Sequence, residues 1–73
     1  SLQRIRQQPR EIWVVKLADR ITNLQAPPAH WSEEKVAGYR RQAIEIRDAL
    51  GEASEHLRAR LDARLESYPP VGQ

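Results

Sequence analysis

Apolar residues in this chain recur at helical spacing and never alternate in the two-residue rhythm of a half-buried strand. Val36, Tyr39, Ala43, Ile46 and Leu50 form one stripe, which predicts a helix from Glu33 to Leu50. Ser32 stands where an N-cap belongs, with Glu33 and Glu34 in the first turn, and Gly51 is placed to end the helix in the left-handed conformation. A second stripe, Leu57, Leu61, Leu65 and Tyr68, predicts a helix from Glu55 to Tyr68 behind an N-cap at Ser54. Arg58 and Asp62 are an i, i+4 pair on it, and Pro69-Pro70 stops it, leaving Val71-Gly72-Gln73 as a frayed tail. The remaining helix is predicted first in the chain, from Arg10 to Gln25. Pro9 suits its first turn, Glu11 complements the dipole, and Pro27-Pro28 ends it. Residues 1–8 either extend this helix backwards or form a separate short turn, and Pro9 favours the break. The expected fold is all-α, with three helices over about 10–25, 33–50 and 55–68.

The first of these helices is patterned differently from the other two. At roughly 100° per residue, Trp13, Leu24, Leu17, Ile21, Val14 and Ala18 cover more than a third of its circumference, and Val15 and Ile12 extend the apolar character further. A helix apolar on nearly every side is a buried one, and two flanking single-stripe helices cannot cover it. Asp19 falls between Val15 and Ile12 on the wheel, Asn23 follows one turn later, and Lys16 joins the same face. A carboxylate turned inward on a buried helix must be paired, hydrogen-bonded or bound to a metal. The alternatives stay open at this point. Asp19 takes an arginine from another helix while Asn23 caps a local backbone group, or the two mark a site.

Composition narrows the setting. Of 73 residues, 12 are basic and 10 acidic, for a net charge of +2 with both signs interspersed. That is an ordinary solvated surface rather than a phosphate-binding stripe, and no nucleic-acid partner is expected. There is no cysteine to staple so small a core. No apolar run approaches the roughly 20 residues of a membrane span, and the first residues lack a signal-peptide pattern. A soluble, cytoplasmic protein without a membrane partner is expected. The absence of methionine leads to the expectation that further residues precede Ser1.

The stretch Val14-Val15-Lys16-Leu17-Ala18-Asp19-Arg20-Ile21-Thr22-Asn23-Leu24 resembles the V-K-L-A-D-R-x-x-N-L segment of HD-domain metal-dependent phosphohydrolases. Within that superfamily it looks most like the ppGpp 3′-pyrophosphohydrolases, both the small stand-alone type and the hydrolase domain of the RelA/SpoT enzymes. Trp31-Ser32-Glu33, Val36 and Tyr39 are similar to the W-S-E-x-x-V-x-x-Y pattern of the stand-alone enzymes. The matched segments cover roughly residues 9 to 50.

The resemblance implies the C-terminal part of an HD-domain helical bundle and an H…HD…D metal site, usually holding Mn²⁺. Asp19 matches the last Asp of that pattern and would be a metal ligand. Asn23 and Tyr39 match residues that contact the guanosine nucleotide. Lys16 and Arg20 match the motif without an assigned role, and Arg20, on the Trp13 side of the wheel, is expected to be structural. Hydrolysis at the 3′ position would release pyrophosphate and leave GDP or GTP.

The departure from the family pattern is large. The first His and the His-Asp pair are absent, and the histidines present, His30 in the Pro-rich loop and His56 in a surface helix, are not followed by Asp. No catalytic residue is expected within this chain, which alone should bind no Mn²⁺ and be inactive. The loop from Gln25 to His30 also looks shorter than in some relatives.

The partners implied are a ppGpp-like guanine nucleotide and the remainder of the same domain. Otherwise the apolar first helix should drive self-association. A degenerate HD domain that binds nucleotide without cleaving it, and a free-standing three-helix interaction module, are the competing readings. Trp13 reads as core, Trp31 as a staple beside the N-cap, and Arg58, Arg60 and Arg64 as a solvated face balanced by Glu55, Asp62 and Glu66.

Overall fold

The computed structural model describes residues 1–69. Among them are four α-helices, one short 3-10 turn and no strand. Helix α1 spans Leu2–Arg6, α2 Arg10–Asn23, α3 Glu33–Leu50 and α4 Glu55–Glu66, with the 3-10 turn at Gly51–Ala53 between α3 and α4. The all-α expectation holds, while the expected three helices become four. The tail expected over residues 71–73 lies outside the described residues.

The extra helix is short, and its cause is local. The Ser1 hydroxyl accepts from the Arg4 amide at 3.4 Å, and Leu2 and Ile5 turn toward the main core. Pro9 breaks it from α2, as its missing N–H requires. Pro9 itself is the N-cap of α2 rather than part of its first turn. It carries no capping side chain, and its carbonyl accepts from the Ile12 amide at 2.9 Å. The Trp13 indole N–H donates to the Gln8 carbonyl at 3.1 Å, which fixes how the chain enters the helix.

Helix α2 ends at Asn23, two residues before the expected Gln25. The Gln25 side chain turns back and donates to the Thr22 carbonyl at 2.8 Å, satisfying one of the oxygens a helix end leaves open. Helix α3 occupies the predicted span, and the Ser32 hydroxyl accepts from the Lys35 amide at 3.1 Å. Gly51 does not adopt the left-handed conformation expected of it. Its φ is −59°, and the chain continues into the 3-10 turn. A Cβ there would lie 3.0 Å from Arg58 Cδ and 3.1 Å from Cγ, so any larger residue would push the Arg58 side chain aside by a few tenths of an ångström. Ser54 caps α4 by accepting from the Leu57 amide at 3.1 Å. Helix α4 stops at Glu66, not at Tyr68, and Arg40 of α3 takes up its end. Arg40 Nη2 donates to the Leu65 carbonyl at 3.1 Å and Nε to the Tyr68 carbonyl at 3.2 Å. A guanidinium at a helix C-terminus satisfies open carbonyls and complements the dipole.

One core joins the elements. Trp13, Leu17, Ile21 and Leu24 meet Ala43, Ile46 and Leu50 of α3 and Leu61, Leu65 and Tyr68 from α4 and its exit. Leu17, Leu50 and Leu61 are fully buried. At the N-terminal end of α2, Arg6 and Arg10 lie over the Trp13 ring, 4.8 and 5.1 Å from its centroid. Both pair with Glu52, at 3.0 and 3.4 Å, and Arg6 Nη1 donates to the Ala49 carbonyl. These pairs are exposed and worth at most about 1 kcal/mol each. They clip α1 and α2 to the turn after α3. On the far side, Asp62 receives Arg47 at 3.0 Å and the predicted Arg58 at 3.1 Å. Its hydrogen bond to Asp62, more than that to Asp48, holds Arg47 above the usual arginine range.

Candidate functional site

The residues singled out by the motif leave α2 on different sides. Trp13, Leu17 and Ile21 face α3 and α4. The opposite side carries Ile12 and Val15, 44% and 64% exposed, together with Asp19 and Asn23, both exposed. Asp19 and Asn23 therefore do not face inward, as the wheel had suggested. All packing of α2 comes from α1, α3, α4 and the 3-10 turn, and it leaves this stretch of helix open. Among the described residues the Asp19 and Asn23 side chains make no hydrogen bond or ion pair, so the expected alternative of an arginine partner is not met.

Lys16 leaves the Asp19 face as well. It lines a cleft of about 250 Å³ between α1, α2 and α3, with Arg20 beside it on α2 and Gln42 and Glu45 opposite on α3. Arg20 turns to Tyr39 rather than to Trp13, whose ring carries Arg6 and Arg10 instead. The Arg20 Cζ lies 4.4 Å from the Tyr39 centroid.

Tyr39 is the centre of an aromatic group that the sequence placed only on a stripe. Trp31 meets it edge-on, with centroids 5.5 Å apart and planes at 70°. Tyr68 tilts against it at 6.0 Å and 54°. Trp31 is thus joined to Tyr39 rather than acting as an isolated staple, and the Lys35 ammonium sits 4.7 Å from its ring centroid. Tyr39, Trp31, Lys35, Gly38 and Gln42 line a hollow of about 470 Å³. Two polar atoms at this group are buried without a hydrogen-bond partner, Arg20 Nη1 and the Tyr68 hydroxyl. Burial, and next the neighbouring Tyr39, raise the Tyr68 phenol above its ordinary 10.0, while Arg20 acts in the opposite sense.

Lys35 and Tyr68 were not among the candidates read from the sequence. Lys35 had a signal, since it precedes Tyr39 by four residues and shares its face. Tyr68 had only its place at the end of the α4 stripe, and the packing alone brings it to Tyr39.

His30 and His56 are exposed. Among the described residues no three His, Cys, Asp or Glu side chains are grouped to hold a metal. Asp19 by itself does not make a divalent-cation site, because a hard cation needs several oxygen or nitrogen ligands at once. No hydrogen bond joins Asp19 or Asn23 to Tyr39 among the described residues. The link between the two regions is Arg20, the neighbour of Asp19. No helix of the described residues is long and apolar enough to cross a membrane. No protein-family model matches the chain, and no curated protein matches it.

Proposed function

We propose that this chain contributes one wall of the active site of an HD-type, metal-dependent hydrolase that removes pyrophosphate from a ppGpp-like guanine nucleotide. In this reading Asp19 is one ligand of a divalent cation, with Mn²⁺ the expected ion, and the other ligands come from residues outside this sequence. Asn23 and Tyr39 contact the nucleotide, and the Lys35 ammonium, over the Trp31 ring at the rim of the same hollow, lends positive charge for a phosphate. A bound cation would supply an activated water and polarise the phosphoryl oxygen. This chain alone is inactive.

The observation that carries the reading is the open side of α2. A carboxylate and a carboxamide one turn apart stand free of partners among the described residues, flanked by the exposed apolar side chains of Ile12 and Val15. The remainder of the domain would cover the apolar pair and bring ligands to Asp19. The motif resemblance turns that surface into a specific chemistry.

One observation favours a second reading, a free-standing interaction module. Residues 1–69 close a core of their own around Leu17, Leu50 and Leu61. The two readings separate in one experiment. ppGpp hydrolysis with Mn²⁺ is measured for this chain and for the chain extended upstream in its own reading frame. Activity in the extended form alone, abolished by Asp19→Ala, is expected. Nucleotide binding without turnover points to a degenerate regulatory domain, and neither binding nor turnover, with a folded monomer at micromolar concentration, points to the module.

A further inference from the structure

We propose that Arg20 is a positioning residue for Tyr39, and that nucleotide affinity at the site proposed above depends on it. The inference rests on that reading and extends it to a residue expected to be merely structural.

Three observations support it. The guanidinium is placed over the Tyr39 ring at 4.4 Å, on the α2 side, and Arg20 does not line the 470 Å³ hollow to which Tyr39 contributes. It therefore backs the ring without occupying the space beside it. Its Nη1 is buried with no hydrogen-bond partner among the described residues. An unpaired buried donor is costly, and an apolar side chain of similar length would fill the same volume without that cost. What the guanidinium adds is attraction to the ring face, strongest where both groups are desolvated. Finally, Tyr39 meets Trp31 at 5.5 Å, and both rings line the hollow, so a ring released by Arg20 would disturb its aromatic wall.

The position in sequence gives the contact its consequence. Arg20 and Asp19 are adjacent, about 100° apart around α2, so one helix turn presents the carboxylate to the open side and the guanidinium to α3. A shift of α2 against α3 would move Asp19 and Tyr39 relative to each other, and the Arg20–Tyr39 contact opposes it.

The test uses the full-length protein with ppGpp and Mn²⁺. Arg20→Met, which keeps the length and removes the charge, is expected to raise KM about tenfold with kcat within about twofold. Arg20→Lys, which keeps a cation near the ring, should restore most of that loss. In a Tyr39→Leu background Arg20→Met should have no further effect on KM. Unchanged KM in Arg20→Met, an equal loss in Arg20→Lys, or an additive loss with Tyr39→Leu would each overturn the proposal while the wild type stays active. If Arg20→Met does not fold, Arg20→Gln, which also removes the charge, takes its place in each of these comparisons with the same expected outcomes. Where the wild type binds but does not cleave, Kd takes the place of KM. A wild type that neither binds nor cleaves ppGpp overturns the parent reading, and this one with it.

Discussion

Helix α2 has two sides with the same kind of residue and opposite fates. On one, Trp13, Leu17 and Ile21 are buried against α3 and α4. On the other, Ile12 and Val15 remain 44% and 64% exposed, beside Asp19 and Asn23. Hydropathy does not separate them, since isoleucine and valine are as apolar as leucine. The difference is the supply of partners. Helices α3 and α4 each have one stripe to offer, and both stripes are used on the same side of α2. The open side is where polar residues carry no structural duty, and there a functional demand can be met without loss of stability.

Mutations can sharpen or break that contrast. The largest effect belongs to the packed side. Leu17→Ala should cost about 2–5 kcal/mol by denaturant or thermal unfolding, because a fully buried leucine leaves a cavity. A loss under 1 kcal/mol would mean that the two sides are equally loose. Next comes the anchoring of α3, the partner of that side. Ser32→Ala removes the bond to the Lys35 amide and should cost about 1 kcal/mol, read as a lowered melting temperature.

A smaller effect appears at alkaline pH. The buried Tyr68 phenol is held neutral with its pKa raised above 10.0, so its contribution is complete below that value. It is lost as pH rises from there through the folded-state pKa, where the unfolded chain has already released its proton. Tyr68→Phe should flatten the fall of melting temperature above about pH 10. An unchanged pH profile would place the alkaline sensitivity elsewhere.

The smallest stability effects belong to the open side. Ile12→Ser with Val15→Ser should change stability by no more than about 0.5 kcal/mol and reduce any self-association seen by sedimentation. Asp19→Asn should be equally silent in stability. A loss above 1 kcal/mol in either case would show that this side is already packed.

The sequence was read most reliably where one turn of helix decides the matter. The Ser32 and Ser54 caps, the break at Pro9, the Arg58–Asp62 pair and the span of α3 all follow from residues three or four apart. Ahead of Pro9 the sequence offers no more than a short turn, because five residues with Leu2 and Ile5 give too short a stripe to define helix α1. Gly51 differs from the expectation because the chain runs on into a 3-10 turn at a φ of −59°, with Arg58 rather than a backbone angle crowding the position. At the candidate site, the sequence named Asp19, Asn23 and Tyr39 but put the first two on an inward face. Helical phase alone says which residues share a side, not which side finds a partner. The pairing of Arg20 with Tyr39 and the capping of α4 by Arg40 were out of reach for the same reason.

By itself, then, the sequence determined that the chain is helical, where its main helices start and which residues share each stripe, because propensity, caps and periodicity are local. It also carried the motif that directs attention to Asp19 and Asn23. Only the tertiary structure decided which side of α2 is buried, which cation rests on which ring, and that Trp31, Tyr39 and Tyr68 form one group. Those choices depend on how three helix surfaces of limited apolar area divide one core among them, and that division is a property of the packed molecule.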